Sequence, residues 1–361
     1  MGILKKVKNR LFINRQDSII FEITPRCNLS CSYCYNVWKN HPDYPKGELD
    51  TAGVKKLLSK IIGESHCRLL TLTGGEPMLR GDIFDIVRHL KGEGVEINVI
   101  SNGTLFTGDS ARELVRSGVT LFELPLLSYD RKVHNGLVGA DAFDRVVEAI
   151  ADIKLAGGLV VAVFVATNEN IEDLEKTIEL DFVLGVNGIM FNRFNPGGEG
   201  SRHIHRLLPS PDRLIKALEI ADRGVEKYGM GISSSIAIQP CIVDISRFKN
   251  LTFGFCAAGT RRSYYTLDAT GNLRMCNHTP SILGNLFEET FTDLTTSKKV
   301  KQFMAARPPF CSGCAMELEC QGGCKAASES SYGDICVEEP FLKENINMAN
   351  KKEVSANEKN K

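Results

Sequence analysis

Ile23-Thr24-Pro25-Arg26-Cys27-Asn28-Leu29-Ser30-Cys31-Ser32-Tyr33-Cys34 puts three thiols in one short loop, directly after the apolar run Ser18-Ile19-Ile20-Phe21-Glu22-Ile23-Thr24. The run is short and stops at Thr24-Pro25, so it reads as a buried strand that delivers the loop. Spaced Cys-x3-Cys-x2-Cys, three thiolates can each hold one iron of a 4Fe-4S cube. The fourth iron is then left to chelate a small molecule. A zinc loop or a set of reduced buried thiols is the plainer alternative, but zinc knuckles usually supply four ligands in paired spacings.

Outward from that loop, strand and helix alternate. Leu49-Asp50-Thr51 starts a helix over 51–62, a strand covers 68–73, and Gly81-Asp82 opens a helix to about 91. The rhythm continues with strand 95–101, helix 109–117, strand 119–125, helix 141–156, strand 159–165, helix 170–182 and strand 187–193. This repetition predicts a parallel sheet with right-handed crossovers and helices on its outer face. A helix over 210–228, started by Ser210-Pro211-Asp212, leads out of the sheet.

At 361 residues with 43% hydrophobic content, the chain is long enough for one large domain and a smaller one. Lys+Arg and Asp+Glu both number 44, so no charge excess argues for a nucleic acid or an anionic membrane as partner. Residues 1–17 are a basic extension without a signal-peptide core, and no run has the apolar length of a membrane span. The chain is expected to be cytoplasmic. In that compartment its 12 cysteines are metal ligands or catalytic thiols before they are disulfides. Cys67, beside an apolar run, reads as a buried small hydrophobe.

In parallel sheets, ligands sit at the C-terminal ends of the strands, and the motifs follow that rule. Thr73-Gly74-Gly75-Glu76-Pro77 follows the second strand: two glycines let backbone approach a ligand and Glu76 offers a carboxylate. Ser101-Asn102-Gly103 ends the third strand, with a hydroxyl and an amide suited to ribose hydroxyls or to ordinary turn chemistry. Leu127-Ser128-Tyr129-Asp130 ends the fourth. Asn192-Arg193-Phe194-Asn195, before a glycine run, closes the sixth. Arg193 there is either a carboxylate partner near the ligand or a surface residue of a solvent loop.

Taken in this order, the motifs resemble the radical S-adenosylmethionine (radical SAM) superfamily. The resemblance implies a partial (β/α)6 parallel barrel over 18–236. Its cube on Cys27, Cys31 and Cys34 binds SAM, and reductive cleavage gives a 5'-deoxyadenosyl radical that takes hydrogen from unactivated carbon. It also implies SAM contacts from Tyr33, Gly74, Gly75, Glu76, Pro77, Ser101, Asn102 and Ser128. His134-Asn135 resembles the family's His-Asp, His134 being structural or functional. Val138 stands where the family has an arginine.

After Pro240 cysteines return in the pattern Cys256-x14-Gly271-x4-Cys276, Cys311-x2-Cys314-x5-Cys320-x3-Cys324 and Cys336. Tyr264 to Arg274 reads as a hairpin carrying Cys276 on its return strand. A zinc ribbon on Cys311, Cys314, Cys320 and Cys324 is the competing reading and leaves the other three unexplained. Seven cysteines in this order resemble the SPASM extension of radical SAM enzymes, here a small Fe-S-rich domain over 237–342. The resemblance implies two auxiliary 4Fe-4S clusters, the inner on Cys256, Cys276 and Cys324, the outer on Cys311, Cys314, Cys320 and Cys336. Cys241 is the nearest spare thiol for the remaining inner position, although burial alone explains a lone cysteine. The polar residues 343–361 are expected to be disordered.

SPASM relatives are mostly peptide and protein maturases, so the resemblance implies an oxidoreductase acting on a peptide or small protein precursor. A tetrapyrrole or other small-molecule modifier is the first alternative, and an iron-sulfur carrier or scaffold the second. Sulfatase-maturing members have a basic aspartate after the second SPASM cysteine. Asn277 stands there, and a neutral amide does not take up a proton, which argues against formylglycine formation unless Asp268 or His278 substitutes. The 26 residues before Cys27 are expected to be too few for a leader-recognition domain, which leaves recognition to a separate protein or to the enzyme's own cleft. Flavodoxin or ferredoxin is the implied reductant.

Overall fold

A computed structural model describes residues 16–39 and 41–346. Most of the expected N-terminal extension and the tail beyond 346 lie outside the described residues. The chain is helical over 340–346, so the start of the stretch expected to be disordered continues a helix instead.

The alternation is realised as β1 (Ser18–Thr24), α1 (Thr51–Ser65), β2 (Leu69–Gly74), α2 (Ile83–Gly92), β3 (Glu96–Ile100), α3 (Gly108–Ser117) and β4 (Val119–Pro125). Then follow α4 (Arg131–Val138), α5 (Phe143–Leu155), β5 (Leu159–Ala166), α6 (Leu174–Val183), β6 (Gly188–Arg193), α7 (Pro211–Tyr228) and β7 (Gly231–Ser234). Helix starts are fixed locally. Asp50 accepts from Gly53 N, Thr107 and Ser110 form a reciprocal capping box, and Ser210 caps α7 with Pro211 in its first turn. Helix α4, unforeseen in the sequence, is held at its start by the Asp130 side chain, which accepts from Lys132 N and Val133 N.

Strands β1 to β7 and the short β8 (Thr252–Phe253) pair in parallel in chain order. Period-two alternation decides which side chains meet helices. Along β5, Val160, Ala162, Phe164 and Ala166 pack into the main core, while Val163 and Val165 face inward to a cavity. That cavity is lined from β2, β3, β4, β5 and β6 together, so the sheet curls around it as a partial barrel.

The cysteine-rich region extends the same sheet. Strand β9 (Thr266–Leu267) pairs in parallel with β1, and β10 (Asn272–Arg274) and β11 (Ile282–Asn285) follow in antiparallel order. The expected hairpin is present, but its return strand ends at Arg274 and Cys276 lies beyond it in the loop.

Two buried ion pairs fasten this region to the barrel. Arg274 pairs with Glu22 of β1 and donates to Thr279 O at 2.9 Å. Arg193, at the end of β6, pairs with Glu339 and donates through Nε to Ala237 O at 2.8 Å. Arg193 is fully buried, which removes the reading of it as a surface residue of a solvent loop. No described helix is long and apolar enough to cross a membrane.

Candidate active site

At the C-terminal ends of the strands lies a cavity of about 190 Å³. The cysteine loop forms one wall, and Asn192, Arg193, Asn195 and His278 lie opposite. Gly74 and Gly75 bring the turn after β2 onto that loop, with Gly75 N donating to Thr24 O at 2.8 Å and Glu76 N to Arg26 O at 2.7 Å. A Cβ on Gly75 would stand 2.0 Å from Arg26 O, and one on Gly74 2.3 Å from Thr24 O, so both positions require glycine. Gly75→Ala is expected to cost about 1–3 kcal/mol of stability and to weaken SAM binding, which urea unfolding and equilibrium binding of SAM would measure.

The anticipated SAM contacts separate into two groups. Tyr33, Gly74, Gly75, Ser101 and Asn102 line the cavity. Glu76 is buried, and its carboxylate accepts from Ser101 Oγ, Asn102 N and Met78 N at 2.8, 2.8 and 3.0 Å, so it shapes the turn that presents Asn102. Asn102 Nδ2 in turn donates to Asn28 Oδ1 at 2.8 Å, tying that turn to the cysteine loop. Pro77 is buried at the start of a short helical turn. Ser128 is buried and donates to Asp173 Oδ2 at 2.6 Å. Neither Pro77 nor Ser128 reaches the cavity wall. His134 is structural: Nδ1 accepts from Leu127 N at 3.3 Å, and burial pushes the imidazole down to about 4, keeping it neutral.

The cysteines gather in sets. Cys27 and Cys34 stand close enough to Cys31 that their charges, after burial, help push its thiol up to about 12. Burial raises Cys34 as well, against the opposing charge of Lys39. Cys276 has Cys324 and Cys256 as neighbours, and its thiol is pushed up to about 12, first by burial and then by their charges. Cys311 lies with Cys320, Cys241 and Cys314, and burial chiefly pushes it to about 12. Cys241 therefore stands beside Cys311 of the outer set. Cys314 and Cys336 are exposed, and Cys67 is buried in the core as expected. Bare thiolates crowded at these sites repel one another and are poorly solvated; iron supplies the positive charge that stabilises them, so these sets fit iron-sulfur clusters. Among the described residues no three metal-ligating side chains close on a single point as one ion would require.

Polar and aromatic residues beside the cysteines connect the two sides. Tyr35, next to Cys34, stacks on His278 with ring centroids 4.2 Å apart, and Asn277 Nδ2 donates to Tyr35 Oη at 3.0 Å. Asn195 Nδ2 lies 3.3 Å from both His278 Nδ1 and Cys324 Sγ. Burial and the charges of Arg274 and Arg193 push His278 down to about 3. In the sequence Tyr35 is marked only by standing next to Cys34, and His278 only as a candidate base two residues after Cys276.

Residues 21–180 match the radical SAM superfamily and residues 256–315 the iron-sulfur cluster-binding SPASM domain. The AdoMet-dependent heme synthase of Methanosarcina barkeri is 26% identical over 351 residues, covering 90% of this chain and 95% of that protein. The crystal structure of Streptococcus suis SuiB bound to the precursor peptide SuiA superposes with a TM-score of 0.72 at 13% identity, covering 93% of this chain and 77% of that one. Native anSMEcpe with bound AdoMet gives 0.71 at 17% identity, covering 92% and 95%. With the three-cysteine loop at the mouth of a curled parallel sheet and further cysteine sets behind it, the chain belongs to the radical SAM superfamily and carries a C-terminal SPASM domain.

Proposed function

We propose that this radical SAM enzyme oxidises or cross-links a side chain of a peptide or small protein precursor. The observation that carries the reading is one cavity set between two thiol sets. Cys27, Cys31 and Cys34 lie on one wall, and Asn195 and His278 join the other to Cys324 and Cys276. When bound, SAM and the clusters supply a hydrogen-abstracting 5'-deoxyadenosyl radical and a site for the electron left behind.

The chain's own residues hold and orient these groups. Cys27, Cys31 and Cys34 would hold the SAM-binding cube, with the Gly74-Gly75 backbone and Asn102 beside it. Cys256, Cys276 and Cys324 would hold the inner auxiliary cluster, and the amide of Asn195 would orient and tune it through the Cys324 sulfur. Cys311, Cys314, Cys320 and Cys336 would hold the outer one. We place the barrel at 18–236 and the SPASM domain at 237–342. Flavodoxin or ferredoxin would be the reductant, and the cytoplasm the setting.

A peptide substrate is supported by SuiB, whose fold this chain shares and which has been solved with a precursor peptide. The heme synthase, similar along nearly its whole length, favours a second reading, in which the substrate is a tetrapyrrole. Anaerobically reconstituted enzyme with SAM and flavodoxin would be offered short peptides encoded beside its gene and, separately, an iron-coproporphyrin. Mass spectrometry is expected to show hydrogen loss from a peptide. Conversion of the tetrapyrrole alone would overturn the peptide reading.

A further inference from the structure

The oxidation proposed above needs a proton acceptor: Asn277, after the hairpin, is a neutral amide, and Asp268 in the hairpin turn already accepts from Tyr44 Oη, Thr270 Oγ1 and Asn272 Nδ2. The other titratable groups around the cavity are committed. Glu76 accepts three donors, Arg193 is paired with Glu339, and Glu22 with Arg274. Lys39 is a cation beside the thiols of the cysteine loop. Tyr33 and Tyr35 are held neutral chiefly by burial, and His278 turns Nδ1 toward Asn195.

Glu123 is different. It lies on β4 in register with Ile100 of β3 and Val161 of β5, and its side chain faces the cavity. Among the described residues no donor or cation meets its carboxylate, and desolvation alone raises it to about 7. Its charge is felt by Tyr35, the residue whose Oη accepts from Asn277. A carboxylate thus reaches the same chamber from the barrel wall.

We infer that Glu123 is the catalytic proton acceptor of the oxidative step, an assignment that rests on the peptide-oxidation reading. The oxidation removes two electrons. With SAM and the clusters bound, a hydrogen atom would leave the substrate carbon in 5'-deoxyadenosine, and an auxiliary iron-sulfur cluster would supply the acceptor for the second electron. The proton of the neighbouring O–H, N–H, S–H or C–H goes to the Glu123 carboxylate as the new bond to carbon forms. The carboxyl then releases that proton to water in the cavity.

The test compares wild type, Glu123→Gln and Glu123→Asp as reconstituted holoenzymes with matched iron content. Infrared spectra should show a protonated-carboxyl band that titrates near neutral pH and is missing in Glu123→Gln. With the peptide that wild type modifies, product formed per 5'-deoxyadenosine should fall at least about tenfold in Glu123→Gln. The fall should lie in kcat rather than KM, with partial recovery in Glu123→Asp. The wild-type product rate should rise as pH passes through about 7 and the carboxyl ionises, and that rise should be absent in Glu123→Gln. Unchanged product per 5'-deoxyadenosine overturns the assignment and leaves the peptide reading intact. So does a raised KM with kcat retained, which would make Glu123 an anchor for a cationic substrate group. If the titrating band is found but wild type modifies no peptide, the peptide reading fails and takes the proton-acceptor role with it.

Discussion

Replacing Cys27, Cys31 and Cys34 together with alanine is expected to abolish SAM cleavage and to lower iron from about twelve to about eight per chain. The loss is local because the three thiols belong to one loop, clamped between the Gly74-Gly75 turn and the Asn28-Asn102 contact. The SPASM thiols stand on other elements. Iron and sulfide analysis with a dithionite-driven assay for 5'-deoxyadenosine would measure both effects. Cleavage retained in the variant would refute the assignment of the radical-generating site. Because metal binding and folding are linked in such loops, the secondary structure of the variant must first match wild type. About four irons in wild type, with zinc bound, would instead point to a zinc-stapled second region.

Arg193→Met is expected to destabilise the protein by about 3–5 kcal/mol, the usual consequence of stranding one partner of a buried ion pair. Glu339 is fully buried, receives Gln239 Nε2 as well as the guanidinium, and accepts from Phe341 N at 3.2 Å. Without Arg193 its charge would face only neutral donors. The double variant Arg193→Met/Glu339→Leu should recover much of the loss, since apolar replacement of both partners removes the stranded charge. Urea unfolding with unchanged m-values would measure this. A single variant as stable as wild type would mean that the C-terminal segment is not secured through this pair.

The alternating strands and helices could be read from sequence because their signals are local. Asp50 and Ser210 sit where caps belong, and short apolar runs such as Leu159–Ala166 stop at polar turn residues. The three-cysteine loop was legible for the same reason. What depends on distant partners was not. Nothing near Ser128 announces that its hydroxyl turns to Asp173. Arg193 meets Glu339 across 146 positions, so its burial could not be inferred from the glycine-rich loop beside it. Glu123 has the spacing of any inward strand residue; its isolation emerges only when every neighbouring charge has been assigned a partner. The position of Cys241 beside Cys311 likewise depends on how the chain returns from β7.

The addition of β9 to the edge of β1 also has a consequence for the order of assembly. Gln16 and Arg261 are bonded across 245 positions, next to the pairing of Ile20 with Thr266. Contacts so far apart carry a large closure entropy and form late. As the chain leaves the ribosome, β1 can acquire β2 early, but its other edge stays open until most of the polypeptide has been made. An open strand edge invites pairing with other chains. The loop that receives the first cluster therefore hangs from an unsealed strand for most of synthesis, and arrival of the hairpin closes that exposure.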